Sequence, residues 1–238
     1  GAGLFEDREG LVWVGSTDGL YRMSEVAAVG YTRDNGLESN YVRVVMQTED
    51  QVLWIGQAAG LSRGIHGRVG RGRRTHDGGH DPSVLALAQQ RGVVWAGTYD
   101  RGVFKLDSQG EVLGRISLDA HSEPMVRALL PDEDGGLWIG GNHGLSHYRE
   151  GQLRTVLDGR NDPGMVVQVL YRDAAGTLWV GATGGMLAVA RDGSLRRWKG
   201  GRDLPAQYVF DFLQDPSGEL WIASDRGLLR MRGNDFRV

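Results

Sequence analysis

The sequence contains no cysteine, so neither disulfides nor thiolate metal sites can support its fold. Long hydrophobic runs are missing too. The apolar stretches cover a few residues each, whereas a membrane-spanning helix needs about 20. The N-terminus shows no charged-then-apolar signal segment. Because the sequence starts and stops at repeat edges, we expect it to be part of a longer protein.

A strong charge of either sign is also lacking. The formal net charge is -3 and the pI is about 6.1, which gives no broad positive field to attract nucleic acid or an anionic membrane surface. The sequence contains no G-x-S-x-G motif, no Walker glycine loop and no cysteine nucleophile. We therefore predict no nucleic-acid partner, no catalytic residue, no metal and no cofactor.

Glycine is abundant, at 38 of 238 residues against a usual share of roughly 7%, while the hydrophobic content is 40%. This combination is typical of many short strands and turns. It argues against disorder, because enough apolar residues remain to build a core.

One segment recurs six times. In the fourth copy it reads GGLWIGGNHGLSHY from Gly135, and its tryptophan, Trp138, marks a fixed position in every copy. Successive tryptophans lie 41, 41, 43, 41 and 42 residues apart, at Trp13, Trp54, Trp95, Trp138, Trp179 and Trp221. A constant period between 20 and 50 residues indicates a repeat architecture.

The local pattern predicts strands and not paired helices. No apolar run reaches the 10 to 12 residues of a helix before Gly, Pro or an Asp-rich turn interrupts it. Each copy holds four short runs, the first ending in an Asp-x-x-Gly turn in four copies, with Thr48 and Gln51 as departures in the second. The third and fourth runs are joined by glycine-containing hairpin turns.

Four-stranded units repeated at this period are typical of β-propeller blades. We predict an all-β fold, a single β-propeller domain over residues 1–238 with six four-stranded antiparallel blades, or alternatively part of a seven-bladed propeller. The predicted blades cover residues 1–40, 41–81, 82–123, 124–163, 164–205 and 206–238. The strands of the first are expected at residues 2–7, 11–16, 19–24 and 26–32.

Two positions of the repeat predict contacts between blades. Each tryptophan is expected to be buried between neighbouring blades. A glycine follows two residues after each tryptophan, except at Ala223 in the last copy, and indicates a place where a neighbouring backbone passes closely.

The repeat resembles the two-component regulator propeller repeat. The resemblance rests on a V-x-x-hydrophobic-x-x-D-x-x-G segment followed by LWIG and Gly-Leu, as from Val126 to Leu145 and from Val209 to Leu228. It implies an extracytoplasmic, periplasmic sensor region of a bacterial membrane-bound histidine kinase, hybrid regulator or diguanylate cyclase. The implied partners are signalling domains of a parent membrane protein, and self-association is left open.

Four alternatives for special sites carry less weight than structural explanations. His143 and His147 have the spacing of a helical zinc site but lie on a predicted loop and strand, and Asp132 to Gly135 matches a hairpin turn better than a calcium loop. His121 with Glu123 could serve a propeller lyase, against a solvated loop. The basic run is expected to protect an exposed sheet edge, with anion or partner binding as the alternative. It comprises Arg63, Arg68, Arg71, Arg73 and Arg74 with His66, His76 and His80.

A ligand site is predicted where the loops between second and third strands meet the linkers between blades. Both sets of loops are expected on one face of the propeller, and they carry aromatic, guanidinium and amide groups suited to a small polar or carbohydrate ligand. The candidate residues are Tyr41, Arg43, Tyr99, Asp100, Arg101, Arg127, Asn142, His143, Gln168, Tyr208, Asp225 and Arg226. A protein-docking scaffold without a small ligand, and less favourably a lyase, remain as alternatives.

Overall fold

The computed structural model describes residues 3–23, 28–65, 68–71, 81–118, 124–159, 161–162, 165–233 and 235–237. Within these ranges the regular structure is β-strand, apart from a short 3-10 helix at Arg33–Asn35. The chain forms two compact units, Gly1–Val126 and Arg127–Val238.

The first unit contains three four-stranded antiparallel sheets, each with its strands in chain order. The first sheet is β1 (Leu4–Glu6), β2 (Val12–Gly15), β3 (Leu20–Met23) and β4 (Ala28–Tyr31). The second is β5 (Val42–Gln47), β6 (Leu53–Gln57), β7 (Leu61–Ile65) and β8 (Arg68–Arg71). The third is β9 (Val84–Gln90), β10 (Val93–Thr98), β11 (Val103–Leu106) and β12 (Val112–Ile116). The strands of the first sheet agree with the predicted ones to within two residues.

The second unit contains three more sheets of the same order, and β13 begins on the last residue of the first unit. The fourth sheet is β13 (Val126–Pro131), β14 (Leu137–Gly141), β15 (Gly144–Arg149) and β16 (Gln152–Asp158). The fifth is β17 (Val167–Arg172), β18 (Leu178–Ala182), β19 (Gly185–Val189) and β20 (Leu195–Lys199). The sixth is β21 (Val209–Gln214), β22 (Leu220–Ser224), β23 (Gly227–Arg232) and β24 (Asp235–Arg237). The predicted fold class, six four-stranded antiparallel blades, is confirmed.

The turns between first and second strands form as the Asp-x-x-Gly pattern predicts. The glycine amide donates to the aspartate carbonyl, as from Gly10 to Asp7 at 3.0 Å and from Gly176 to Asp173 at 2.9 Å. In the second sheet Gln51 takes the glycine position with a φ of 63°, and its amide donates to Thr48 at 3.0 Å. A non-glycine residue therefore adopts the left-handed conformation there, which costs some backbone strain.

Hydrophobic cores lie between successive sheets of each unit. Between the first and second sheets, for example, Trp13 and Leu20 pack with Val42, Val45 and Ile55. The glycine two residues after each tryptophan lies at such a contact: a Cβ on Gly15 would be 2.7 Å from Val42 Cγ1, and one on Gly181 would be 2.7 Å from Val209 Cγ1. The predicted close approach exists, but the neighbour is the valine that begins the next sheet and not its backbone.

The tryptophans are not equally buried, which corrects the expectation drawn from their recurrence. Trp13, Trp54 and Trp95 are 5%, 1% and 6% exposed, whereas Trp138, Trp179 and Trp221 are only partly buried. The repeat position fixes the strand and the side of the sheet, and the residues around each indole decide how far it is covered.

Candidate functional site

In the second, third and sixth sheets, the turn between second and third strands lies beside the linker that leads into the first strand. The backbone amides of the turn donate to linker carbonyls: Ala58 to Tyr41 at 2.9 Å, Tyr99 to Ser83 at 2.9 Å, and Asp225 to Tyr208 at 3.2 Å. We call this end of each sheet the loop edge. The two kinds of loop predicted to share a face do lie together, sheet by sheet.

The first strands of the second, third, fifth and sixth sheets carry a β-bulge at their second residue. The register shifts between Val42 and Val44 and between Val167 and Val169, which leaves Arg43 and Gln168 as the extra residues. A bulge turns its side chain away from the regular alternation of the strand. Two of the predicted ligand residues, Arg43 and Gln168, are therefore bulge residues. Arg127, which is exposed, is likewise the second residue of its first strand, in the fourth sheet.

In the first unit, the structure brings Tyr41 and Arg43 together. The Arg43 guanidinium lies 4.5 Å from the centre of the Tyr41 ring, which is a cation–π contact. Its Nε is buried and has no hydrogen-bond partner among the described residues. The other three predicted residues of this unit share one turn: Tyr99 is 38% exposed, Asp100 is exposed, and the Arg101 amide donates to Thr98 Oγ1 at 3.0 Å.

In the second unit, Asp225 holds the loop edge of the sixth sheet. Its Oδ1 accepts hydrogen bonds from the amides of Gln207 and Tyr208, both at 2.8 Å. The Tyr208 amide in particular lowers the pKa of Asp225. Two predicted ligand residues, Asp225 and Tyr208, are therefore hydrogen-bonded to each other. Arg226 forms an ion pair with Asp225, with its Nε 3.9 Å from Asp225 Oδ2.

His143 is in the fourth sheet's turn, next to Asn142. Both its ring nitrogens are buried, and burial lowers the pKa of its imidazole because desolvation disfavours the charged form. A backbone hydrogen bond at Ile139 opposes this shift of the pKa.

The geometry of the described residues supports neither the zinc site nor the calcium loop considered from the sequence. His143 lies in the turn, while His147 lies on β15 opposite Trp138, and no group of three or more described His, Asp or Glu residues could hold an ion. Asp132 to Gly135 forms the expected hairpin turn, with a 3.0 Å hydrogen bond from the Gly135 amide to the Asp132 carbonyl. His121 and Glu123 lie outside the described residues.

The basic run separates into different roles. Arg63 does not protect an edge: its guanidinium lies 5.0 Å from the Trp54 ring and donates to the carbonyls of Ser108 and Gln109, at 2.5 and 2.8 Å. It connects the second sheet to the third. Arg68 does lie on the outermost strand, β8, with Arg71. Five members of the run lie outside the described residues: His66, Arg73, Arg74, His76 and His80.

The opposite end of each sheet, which we call the turn edge, carries contacts that the sequence analysis missed. In the first, fifth and sixth sheets the turn aspartate accepts a hydrogen bond from the indole Nε1 of the same sheet, from Trp13 to Asp7 at 2.7 Å, from Trp179 to Asp173 at 2.8 Å and from Trp221 to Asp215 at 2.9 Å. These bonds explain why aspartate and tryptophan recur six residues apart.

A second turn-edge contact joins neighbouring sheets. The amide after the turn's first residue donates to a glutamine side chain that ends the next sheet's first strand: Arg8 to Gln47 at 3.2 Å, Glu49 to Gln89 at 2.9 Å and Ala174 to Gln214 at 2.9 Å. Glutamine suits this place because its amide oxygen accepts while its nitrogen donates elsewhere.

A third contact crosses from the second strand to the third. In four of the sheets a cationic side chain lies opposite the tryptophan, with its charged group between 5.0 and 6.0 Å from the ring centre. These cations are Arg22, Arg63, Lys105 and Arg230. They stand nine or ten residues after the tryptophan, a signal that the sequence carries and that an alignment of the six copies would have shown.

The fourth sheet departs from this pattern with a histidine. His147 stacks on Trp138 with ring centres 4.3 Å apart, and its Nε2 is 3.2 Å from Asp132 Oδ2. Arg172 replaces the glutamine, with Nη2 3.2 Å from Asp132 Oδ1. Burial lowers the pKa of His147, and Asp132 opposes that shift.

The fifth sheet departs with an alanine, since Ala188 is the residue opposite Trp179. No charged side chain covers this indole from β19. The turn edge of the fifth sheet therefore differs from the others in having neither a cation nor a histidine opposite its tryptophan, and the Trp198 ring lies 5.7 Å from it instead.

Comparison with known proteins adds a family match. Residues 122–143 and 203–226 match the two component regulator propeller family. Each segment contains the first two strands of a sheet and its Asp-x-x-Gly turn. A comparison with curated protein sequences gave no match.

Solved structures share the fold. The extracellular domain of a protein described as a one component system of B. thetaiotaomicron is 19% identical with a TM-score of 0.82, over 99% of this chain and 35% of that chain. The extracellular domain of a hybrid two component system of the same organism is 21% identical with a TM-score of 0.79, over 99% and 34%. This chain spans about a third of the length of these two.

A lyase has the same fold as well. Virginiamycin B lyase from Staphylococcus aureus is 14% identical with a TM-score of 0.78, over 99% of this chain and 82% of that chain. At such identities these similarities show the β-propeller fold alone. The chain has a β-propeller fold, and two of its segments match the two component regulator propeller family.

Proposed function

We propose that this chain is an extracytoplasmic sensor propeller of a bacterial signalling protein, which binds a small polar or sugar-like ligand at its loop edges. The observation that carries the proposal is the match of two segments, 122–143 and 203–226, to the two component regulator propeller family. The similar extracellular domains of one component and hybrid two component systems support it.

The loop-edge chemistry agrees with such a ligand. Arg43 presents a guanidinium at a bulge beside an aromatic ring, and Arg127 and Gln168 add a second guanidinium and an amide in the other unit. Guanidinium groups bind carboxylates and hydroxyls through paired donors, and an adjacent aromatic face binds the apolar side of a sugar ring. Arg127 is exposed, and Arg43 and Gln168 are partly exposed.

We propose no catalytic role for the chain. The lyase similarity reaches 14% identity and concerns the fold, which does not determine activity. Signal output belongs, in this proposal, to other domains of the same protein.

A thermal-shift screen of the 238-residue chain against sugars and small polar metabolites tests the proposal. A ligand that binds only the folded chain stabilises it by about 2.7 kcal/mol at 100 times Kd, so the melting temperature rises with concentration. We expect Arg43→Ala to weaken binding at the first unit's loop edge, or Arg127→Ala binding at the second unit's loop edge, about tenfold or more, because a hydrogen bond to a charged group is lost. Arg68→Ala, an exposed position on β8, is the control and should keep the affinity.

A different result would reject ligand sensing at the loop edge. If no compound raises the melting temperature while purified signalling domains of the parent protein bind the chain, the propeller acts as a docking scaffold. If a ligand binds with unchanged affinity in both arginine variants, its site lies elsewhere.

A further inference from the structure

A groove of about 410 Å³ lies at the turn edge of the second unit, between the fifth and sixth sheets. Its fifth-sheet wall includes Trp179, Ala188 and Trp198, and its sixth-sheet wall includes Gln214 and Leu220. This volume is within the usual range for small-molecule sites. It lies at the other end of the sheets from the loop-edge residues.

The first unit provides an internal comparison. The corresponding place between the first and second sheets is lined by Asp7, Trp13, Arg22 and Gln47, which match Asp173, Trp179, Ala188 and Gln214 by position in the repeat. That cavity measures only about 50 Å³. Arg22 extends over Trp13 there, with its guanidinium 6.0 Å from the ring centre. The alanine at position 188 therefore opens the groove.

The walls of the groove are held in place by contacts already described. Trp179 Nε1 donates to Asp173, and Gln214 both accepts from the Ala174 amide and donates to the Gly218 carbonyl at 3.1 Å. The ring centres of Trp179 and Trp198 are 5.7 Å apart with planes inclined by 31°. Such a preorganised aromatic wall loses little conformational entropy when a ligand binds.

Polar groups surround the indoles. The Arg196 guanidinium lies 4.8 Å from the Trp198 ring centre, and Thr177 and Ser194 also line the groove, with the Ser194 hydroxyl donating to Asp192. Arg196 already supplies the cation for this aromatic pair, so a cationic ligand would meet a like charge. A purely apolar ligand would cover the guanidinium without giving it a partner, which costs free energy. A ring with one apolar face and several hydroxyls satisfies both parts of the lining.

We propose that this groove binds a hexose ring of a saccharide. The C–H face of the sugar packs on the partly exposed indole of Trp179, and its hydroxyls or a carboxylate bond to Arg196, Thr177 and Ser194. The site is separate from the loop edges and does not depend on the function proposed above.

Titration calorimetry of the 238-residue chain with maltotriose, cellotriose and trigalacturonic acid tests the site. We expect saturable binding of at least one trisaccharide, accompanied by a change in tryptophan fluorescence. Ala188→Arg restores the residue of the first sheet at this position, fills the groove and should weaken binding at least tenfold. Arg196→Ala should weaken it about tenfold through the lost hydrogen bonds. Arg68→Ala, an exposed position on the outermost strand β8 of the first unit, is the control and should bind like the unaltered chain.

Binding that survives Ala188→Arg would overturn the proposal, as would the failure of all three trisaccharides to bind. Binding lost in Arg43→Ala or Arg127→Ala but kept in Ala188→Arg would assign the sugar to a loop edge and also overturn it. The melting temperature of each variant establishes that it folds. If Ala188→Arg does not fold, Ala188→Leu, which fills less of the groove, takes its place beside Arg196→Ala.

Discussion

Six tryptophans at one repeat position make different contributions, because their surroundings differ. Trp54 is 1% exposed and packs in the core between the second and third sheets with Val84 and Phe104. Trp138 is only partly buried and stacks on His147. The same residue type on the same strand is a core side chain in one sheet and a half-covered platform in another.

We expect Trp54→Ala to lower the free energy of unfolding by about 3 to 5 kcal/mol, since it removes a fully buried aromatic ring and leaves a cavity. Trp138→Ala should cost less, because part of that ring already faces solvent. Urea denaturation of both variants measures the difference. Equal costs would mean that burial at this position does not control stability.

The repeat period gave the tryptophan positions from sequence alone, but not what covers each ring. The residue opposite the indole is visible in the sequence nine residues later, as Arg22 or Ala188, yet its significance depends on knowing that β2 and β3, or β18 and β19, place the two side chains side by side. The contact of Gln47 could not be predicted from the sequence either, because its partner, the Arg8 amide, belongs to another sheet.

At the scale of strands and turns, local chemistry predicted most of the structure. Aspartate and glycine at fixed spacing specify the hairpin turns, and the four strands per copy follow from them. The bulges at Arg43 and Gln168 could not be predicted, because an extra residue in a pairing register is defined by both strands. The loop-edge candidates were therefore chosen by residue type and linker position, and their joining in pairs, as for Tyr208 and Asp225, became visible only in the structure.

The glycine of each second strand is set by packing against the next sheet. Gly15→Ala would place a Cβ 2.7 Å from Val42 Cγ1, and we expect this overpacking to cost about 1 to 3 kcal/mol. The double variant Gly15→Ala with Val42→Ala should cost less than the sum of the single changes, because the second change removes the obstruction. Denaturant unfolding of the four proteins in this cycle measures the coupling. Strict additivity would show that the two residues do not press on each other.

At the scale of the whole chain, the carboxylates in the turns are expected to make the stability of the fold depend on pH in acid. The Ser217 hydroxyl and then the Trp221 indole lower the pKa of Asp215 from 3.8 to about 2, and Ser194 lowers that of Asp192. A carboxyl whose pKa is lower in the folded state stabilises the fold at pH values above its ordinary pKa, and this contribution disappears as pH falls.

We therefore expect the free energy of unfolding to decrease as pH falls from about 4 to about 2. Asp215→Asn should flatten this dependence, since the asparagine does not titrate. Asp18→Asn, in an exposed loop of the first sheet, is the matched control and should keep the wild-type slope. Urea melts across this pH range would contradict the assignment if both variants showed the same slope.

The paired indoles of Trp179 and Trp198 have an optical consequence. Two identical chromophores whose centres are 5.7 Å apart and whose planes are inclined to each other share their excited states. Their strong ultraviolet transitions then split into bands of opposite sign in circular dichroism, and the splitting vanishes when unfolding separates the rings. The fifth sheet thus carries a built-in chromophore pair that reports, without any added label, on its own folding and on whatever lies against its tryptophans.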